Sequence, residues 1–133
     1  MVIRINEAEL ARVLTGPGGP VYREVRAEAH RVRASIARHA PKDSGKMARS
    51  FLVRMSAVPG RSVTATVYTR SKVATYQQRG TRPHGPVRAK VLRFKPKGGG
   101  GVVFTPWVDG VPATHFITKG LLSAAKWRVR VES

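Results

Sequence analysis

Val21-Tyr-Arg-Glu-Val-Arg-Ala-Glu-Ala-His-Arg-Val-Arg-Ala-Ser-Ile-Ala-Arg-His39 is the stretch whose reading decides the fold. At roughly 100° per residue, Val21, Tyr22, Val25, Ala29, Val32 and Ile36 fall within one arc about 100° wide, the apolar stripe of a helix that packs on a core. Arg23, Arg26, Arg31, Arg33 and Arg38 fall outside that arc. The pattern predicts one long amphipathic helix over 21–39, lying on a sheet with a basic outer face. Pro41 stops it, because the ring disfavours helical backbone in the preceding residue.

Upstream, Val2-Ile3-Arg4-Ile5 reads as a short opening strand, and Asn6 with Glu9 three residues on has the form of a capping box before the apolar positions Leu10, Val13 and Leu14. Thr15-Gly-Pro-Gly-Gly-Pro20 ends that short helix as a stiffened turn. Downstream, Asp43 or Ser44 is placed to cap a helical turn through Met47. Phe51–Val58 and Ser62–Thr69 read as strands joined by Pro59-Gly60-Arg61; Val63, Ala65 and Val67 alternate with Thr64, Thr66 and Tyr68, which is period two. The facing of the first strand is left open. Val73–Gln78 is ambiguous between helix and strand. Val87–Phe94 and Val102–Thr105 read as a second hairpin with Gly98–Gly101 at its tip, and the run from about Ala113 to Trp127 reads as a closing helix. The order helices, hairpin, hairpin, helix gives an α+β class. The long N-terminal helix and the C-terminal helix are expected to pack on an antiparallel sheet of two hairpins. We read one domain over 1–133: an N-terminal segment 1–19, a core 20–127 and a mobile hairpin arm 95–101.

Composition bounds the function. The 133 residues carry 25 Lys+Arg against 7 Asp+Glu, a formal charge of +18, with 41% hydrophobic residues and no cysteine. The apolar fraction supports a modest core. The lack of cysteine removes disulfides, thiolate zinc sites and cysteine nucleophiles. No run of apolar residues is long enough to span a bilayer, and the N-terminus lacks a signal-peptide core, so a cytosol-made protein without a membrane partner is expected. Charge of this size asks for a polyanionic or acidic partner. It is also localised: between Asp43 and Asp109 there is no carboxylate, while thirteen Lys and Arg lie in 44–108.

No constellation for chemistry emerges. His30, His39, His84 and His115 lack metal-ligand spacing, and the carboxylates are few and scattered, with Asp43 and Asp109 in turn sequences where capping is the ordinary explanation. Ser44-Gly45-Lys46 lacks the upstream glycine of a phosphate loop, and Gly98–Gly101 stands between strands rather than before a helix. The expectation is no enzyme, no metal and no cofactor. Phe94, Phe104 and Trp107 flank a basic hairpin, where aromatics either stack on bases or, more commonly, pack inward; packing is the expectation.

Three segments in order carry a resemblance: Ala40-Pro-Lys-Asp-Ser-Gly-Lys-Met-Ala-Arg-Ser-Phe51, Ala74-Thr-Tyr-Gln-Gln-Arg-Gly-Thr-Arg-Pro-His84 and Pro112-Ala-Thr-His-Phe-Ile-Thr-Lys-Gly-Leu-Leu122. Together, over about 20–125, they resemble the head–tail joining, neck or tail-completion proteins of long-tailed phages, the group that includes minor tail protein Z-like sequences. The family pattern often has an acid before its Gly-Thr, where Gln78-Arg79 stand here, and a proline before Phe116, where His115 stands, so no particular inter-subunit ion pair is carried over.

The resemblance implies a virion protein assembled in the host cytoplasm. It would form a ring of identical copies joining the head to the tail around the DNA channel. Its partners would be itself, other neck and head-completion proteins, and the tail-terminator or tail-tube proteins, with packaged DNA phosphates as a further contact. The residues expected to make these contacts are Arg26 and Arg33 on the helix, Arg79, Arg82 and His84 in the Gly-Thr loop, and Arg88, Lys90, Arg93, Lys95 and Lys97 on the arm. Gly45 and Gly80 are the expected tight-turn glycines. The alternative is a basic protein that binds nucleic acid without sequence preference.

Overall fold

The structure, a computed structural model, describes Met1, residues 3–42 and residues 45–124. These form two compact units, one built from the chain up to Ser71 together with the helix that starts at Phe116, the other from Lys72–His115.

The first unit holds α1 (Glu7–Thr15), α2 (Pro20–His39), α3 (Lys46–Arg49), the strands β1 (Phe51–Val58) and β2 (Ser62–Thr69), and the last helix, α5 (Phe116–Ala124). Helix α2 follows the sequence pattern except at its start, where Val21, expected on the inward arc, is exposed. Pro20 opens it, where a missing N–H costs nothing, and Ala40 closes it with its N–H on the Ile36 carbonyl. Ala29, Val32 and Ile36 are buried, while Arg23, Arg26, Arg31, Arg33 and Arg38 are exposed. Two polar residues join the inward face: Glu28, paired with Arg31 one turn on, and Ser35.

The register of β1 and β2 settles how the first strand faces. Val53 lies opposite Val67, Met55 opposite Ala65 and Ala57 opposite Val63. Phe51, Val53, Met55, Val63, Ala65 and Val67 therefore share the face that α2 covers, as period two requires. Leu52 and Arg54 take the other face with Tyr68, and the Arg54 guanidinium sits 5.0 Å from the Tyr68 ring centre. The turn is Pro59-Gly60, with Gly60 at φ +67° and the Arg61 N–H on the Val58 carbonyl. Buried Thr15 ties α1 to that turn: its hydroxyl donates to the Ala11 carbonyl at 2.7 Å and accepts the Gly60 N–H at 3.0 Å.

Helix α5 crosses α2 at very short range. A Cβ on Gly120 would lie 2.5 Å from Ile36 Cα and 2.8 Å from its backbone nitrogen, so only glycine permits the approach. The Ser35 and Ser123 hydroxyls meet at 3.0 Å. Beside them Phe116 and Phe51, both almost fully buried, stack edge to face at 6.0 Å and 82°.

The second unit holds α4 (Lys72–Arg79) and the hairpin β3 (Leu92–Phe94) with β4 (Val103–Thr105). The two hairpins form separate two-stranded sheets. The ambiguous 73–78 stretch is helical.

Four expectations change. Ile3–Ile5 form no strand and are exposed, and no strand among the described residues pairs with them; Val2 lies outside the described residues. The second hairpin is much shorter than 87–94 and 102–105, because 87–91 runs through bends. The closing helix begins at Phe116, not Ala113, because Thr114 and His115 are engaged with α4; its expected end near Trp127 lies outside the described residues. Phe94, Phe104 and Trp107 do not pack into a core and are 42%, 62% and 55% exposed. The Asp43 or Ser44 cap also lies outside the described residues, while Gly45 stands at the N-terminus of α3 with φ +70°.

Candidate functional site

The expected contact residues fall into two groups, one in each unit. In the first unit, Arg26 and Arg33 are exposed and seven positions apart on α2, which is nearly two turns, so they share one stripe with exposed His30 between them. The stripe exists because the opposite arc is spent on the core.

In the second unit the Gly-Thr loop is built into a backbone ladder. Thr81 donates its N–H to the Val111 carbonyl at 2.9 Å, and the Val111 N–H donates back to the Thr81 hydroxyl at 3.0 Å. His84 and Val108 exchange both backbone hydrogen bonds at 3.0 Å. Gly80, at φ +74°, turns the chain into this ladder, and a Cβ there would meet the Val111 carbonyl at 2.6 Å. Facing it, Gly110 lies so close to the Thr81 carbonyl that no side chain fits. Between these fixed points Arg82 and His84 are exposed. The His84 Nδ1–H donates to the Arg82 carbonyl, which bends the ring back over its own loop.

Thr114 closes α4: its N–H and its hydroxyl both donate to the Gln77 carbonyl, at 2.9 and 2.7 Å, and the His115 N–H reaches Gln78. Arg79 is thereby held at the helix C-terminus, where a cation is favoured. His115 takes φ +50°, a backbone angle a proline ring forbids, so a proline in its place is incompatible with this junction.

Arg93 and Lys95 belong to the hairpin, Lys97 to its turn, and Arg88 and Lys90 to the bends before β3; all five are exposed. The hairpin register places Leu92 opposite Thr105, Arg93 opposite Phe104 and Phe94 opposite Val103. Successive pairs alternate between faces, so one face carries Leu92, Phe94, Val103 and Thr105, and the other carries Arg93 beside Phe104. Gly98–Gly101 are exposed, and added Cβ atoms there would meet nothing within 4 Å.

Trp107 is the residue sequence reasoning placed least well. Its backbone is clasped by Thr105, whose hydroxyl donates to the Trp107 carbonyl at 2.7 Å and accepts the Trp107 N–H at 3.3 Å. Its ring lies against Gly85, where a Cβ would stand 3.6 Å from it. The signal in the sequence was Gly85, which reads as a loop residue but leaves room for an indole. Among the described residues, no group of three His, Asp or Glu side chains is gathered closely enough to hold a metal ion. The arrangement offers cations, aromatic faces and backbone rigidity, which suit binding. Comparison with family models, curated proteins and solved structures finds no match.

Proposed function

We propose that this chain is a non-enzymatic structural protein of a long-tailed phage neck, acting by self-association into a ring and by bridging head-completion proteins to the tail. The observation that carries the reading is the surface of the second unit. Within Lys72–His115 Ala74 alone is buried, while Tyr76, Val87, Phe94, Val103 and Val111 are exposed. A two-stranded hairpin of three-residue strands is marginal in water without a partner. On the hairpin, Phe94 and Val103 are paired on one uncovered face, the kind of adjoining apolar surface that a partner covers. Neighbouring subunits in an assembly supply the missing cover, on the Leu92–Phe94–Val103 face of the hairpin above all.

The resemblance adds support through two of its segments, which are not merely ordered in sequence. The Ala74–His84 and 112–115 stretches close on one another through Gln77, Gln78, Gly80 and Thr114. Arg26, Arg33 and the cations of the second unit would then dock on acidic partner surfaces or on DNA phosphate.

The test is light scattering of the purified protein, with electron microscopy of the same sample. Self-association that strengthens as salt rises is expected, because salt screens the +18 charge that opposes it. A chain that stays monomeric at all salt concentrations, while binding duplex DNA with a steep salt slope, would instead favour the stand-alone nucleic-acid-binding reading.

A further inference from the structure

We infer that the Arg93–Phe104 face of the hairpin binds single-stranded nucleic acid, with Phe104 as a stacking platform and Arg93 and Lys95 as phosphate contacts. The inference rests on the second unit's own surface and stands independently of the neck assignment.

Phe104 is 62% exposed, more than a strand phenylalanine in a packed hairpin keeps uncovered. Arg93 lies directly opposite it in register, hence beside it on the same face. Lys95 directly follows β3 and Val102 directly precedes β4, and with Arg93 and Phe94 they line a shallow depression at this end of the hairpin. A π-face flanked by cations about one residue spacing away is the arrangement by which sequence-tolerant single-strand binders hold a base and its phosphate together. Trp107, 55% exposed, is a further ring in the same unit, its backbone held by the Thr105 hydroxyl.

Charge selects the occupant. Lys72–His115 carries eight Lys and Arg against the single carboxylate Asp109. Two copies of the Arg93–Phe104 face set against each other would therefore repel, which leaves contacts between subunits to the opposite, Leu92–Phe94–Val103 face. An apolar protein surface would leave Arg93 and Lys95 without counter-charge. Duplex DNA supplies phosphate but hides its base faces within the stack, whereas single strands present both.

The experiment is fluorescence anisotropy of fluorescein-labelled (dT)20, (rU)20 and a 20-base-pair duplex, titrated with the full chain over a range of NaCl concentrations. Expected is binding of the single strands in preference to the duplex, with DNA and RNA arms separating the two sources. Phe104→Ala weakens single-strand binding by roughly 5- to 150-fold without changing the salt slope. Phe104→Tyr restores it, and Phe104→Leu, which keeps apolar bulk, does not. Arg93→Gln and Lys95→Gln each lower the slope by about 0.7. Any of three results overturns the inference: equal or tighter duplex binding, Phe104→Leu binding like the wild type, or Phe104→Ala abolishing self-association while leaving single-strand affinity unchanged. Circular dichroism of each variant guards against misfolding, and Phe104→Tyr and Phe104→Leu keep the question answerable if Phe104→Ala does not fold.

Discussion

Replacing Gly120 by alanine puts the core of the first unit to a test whose sign is informative. A Cβ at that position would stand 2.5 Å from Ile36 Cα and 2.8 Å from Ile36 N. Carbon atoms pack at about 3.5–4.0 Å, so α5 must retreat from α2 by about 1 Å. Both clashing atoms are backbone, and no rotamer change relieves them. Overpacking of this kind costs about 1–3 kcal/mol, and a backbone clash belongs at the upper end. Alanine returns about 1 kcal/mol of helix propensity. The net expectation is a loss of about 2 kcal/mol, or a fall in Tm of roughly 6–12 °C for a chain of this length. Thermal unfolding followed by circular dichroism reads it. Gly18→Ala is the control, since a Cβ there meets nothing within 4 Å, and its Tm should stay within about 2 °C of the wild type. If α5 did not press on α2, only the propensity gain would remain, so an unchanged or raised Tm for Gly120→Ala would refute the close crossing.

Other consequences follow from the same geometry. Phe51→Ala removes one ring of the buried Phe51–Phe116 pair and should cost about 3–5 kcal/mol, seen as a large drop in the urea midpoint. Gly80→Ala forces a side chain onto the Val111 carbonyl at φ +74°; the Thr81 amide should lose hydrogen-exchange protection, while amides of α2 keep theirs. Thr69→Val removes the hydroxyl that accepts the Ser71 N–H at 3.1 Å and meets Ser50 at 2.7 Å, and should cost about 1–2 kcal/mol in denaturant unfolding. Replacing Gly98–Gly101 by Asn-Gly should leave Tm within about 2 °C, because the four are exposed and a Cβ added at any of them meets nothing within 4 Å, yet reduce self-association measured by light scattering.

Local periodicity made the first unit readable. The 3.6-residue stripe of α2 and the alternation of Val63, Ala65 and Val67 placed those elements and their inward faces, because burial against one partner leaves a regular trace. Asn6 likewise caps α1 as its spacing suggested, accepting the Glu9 N–H at 3.2 Å. The second unit was less legible because distant residues settle its conformation. The 73–78 stretch is helical, and the Gln77 carbonyl near its end is satisfied by Thr114, far along the chain, which no local pattern announces. The close approaches at Gly110 and Gly120 left no trace either, since a glycine in sequence does not say what lies where its side chain would be. The aromatics misled for a related reason. Apolar residues in a hairpin predict a buried face only if another layer covers it, and this two-stranded sheet keeps Phe104 open beside Arg93. The exposure of the ten expected contact residues was legible, since Lys and Arg are costly to bury and each of the ten is at the surface; whether they touch a partner is the proposal's to test.

Electron microscopy of particles made from a phage genome in which this reading frame is interrupted tests the central proposal most directly. The account predicts DNA-filled heads and separate tails, with joining restored when the chain is supplied in trans. Complete virions formed without the chain would contradict it.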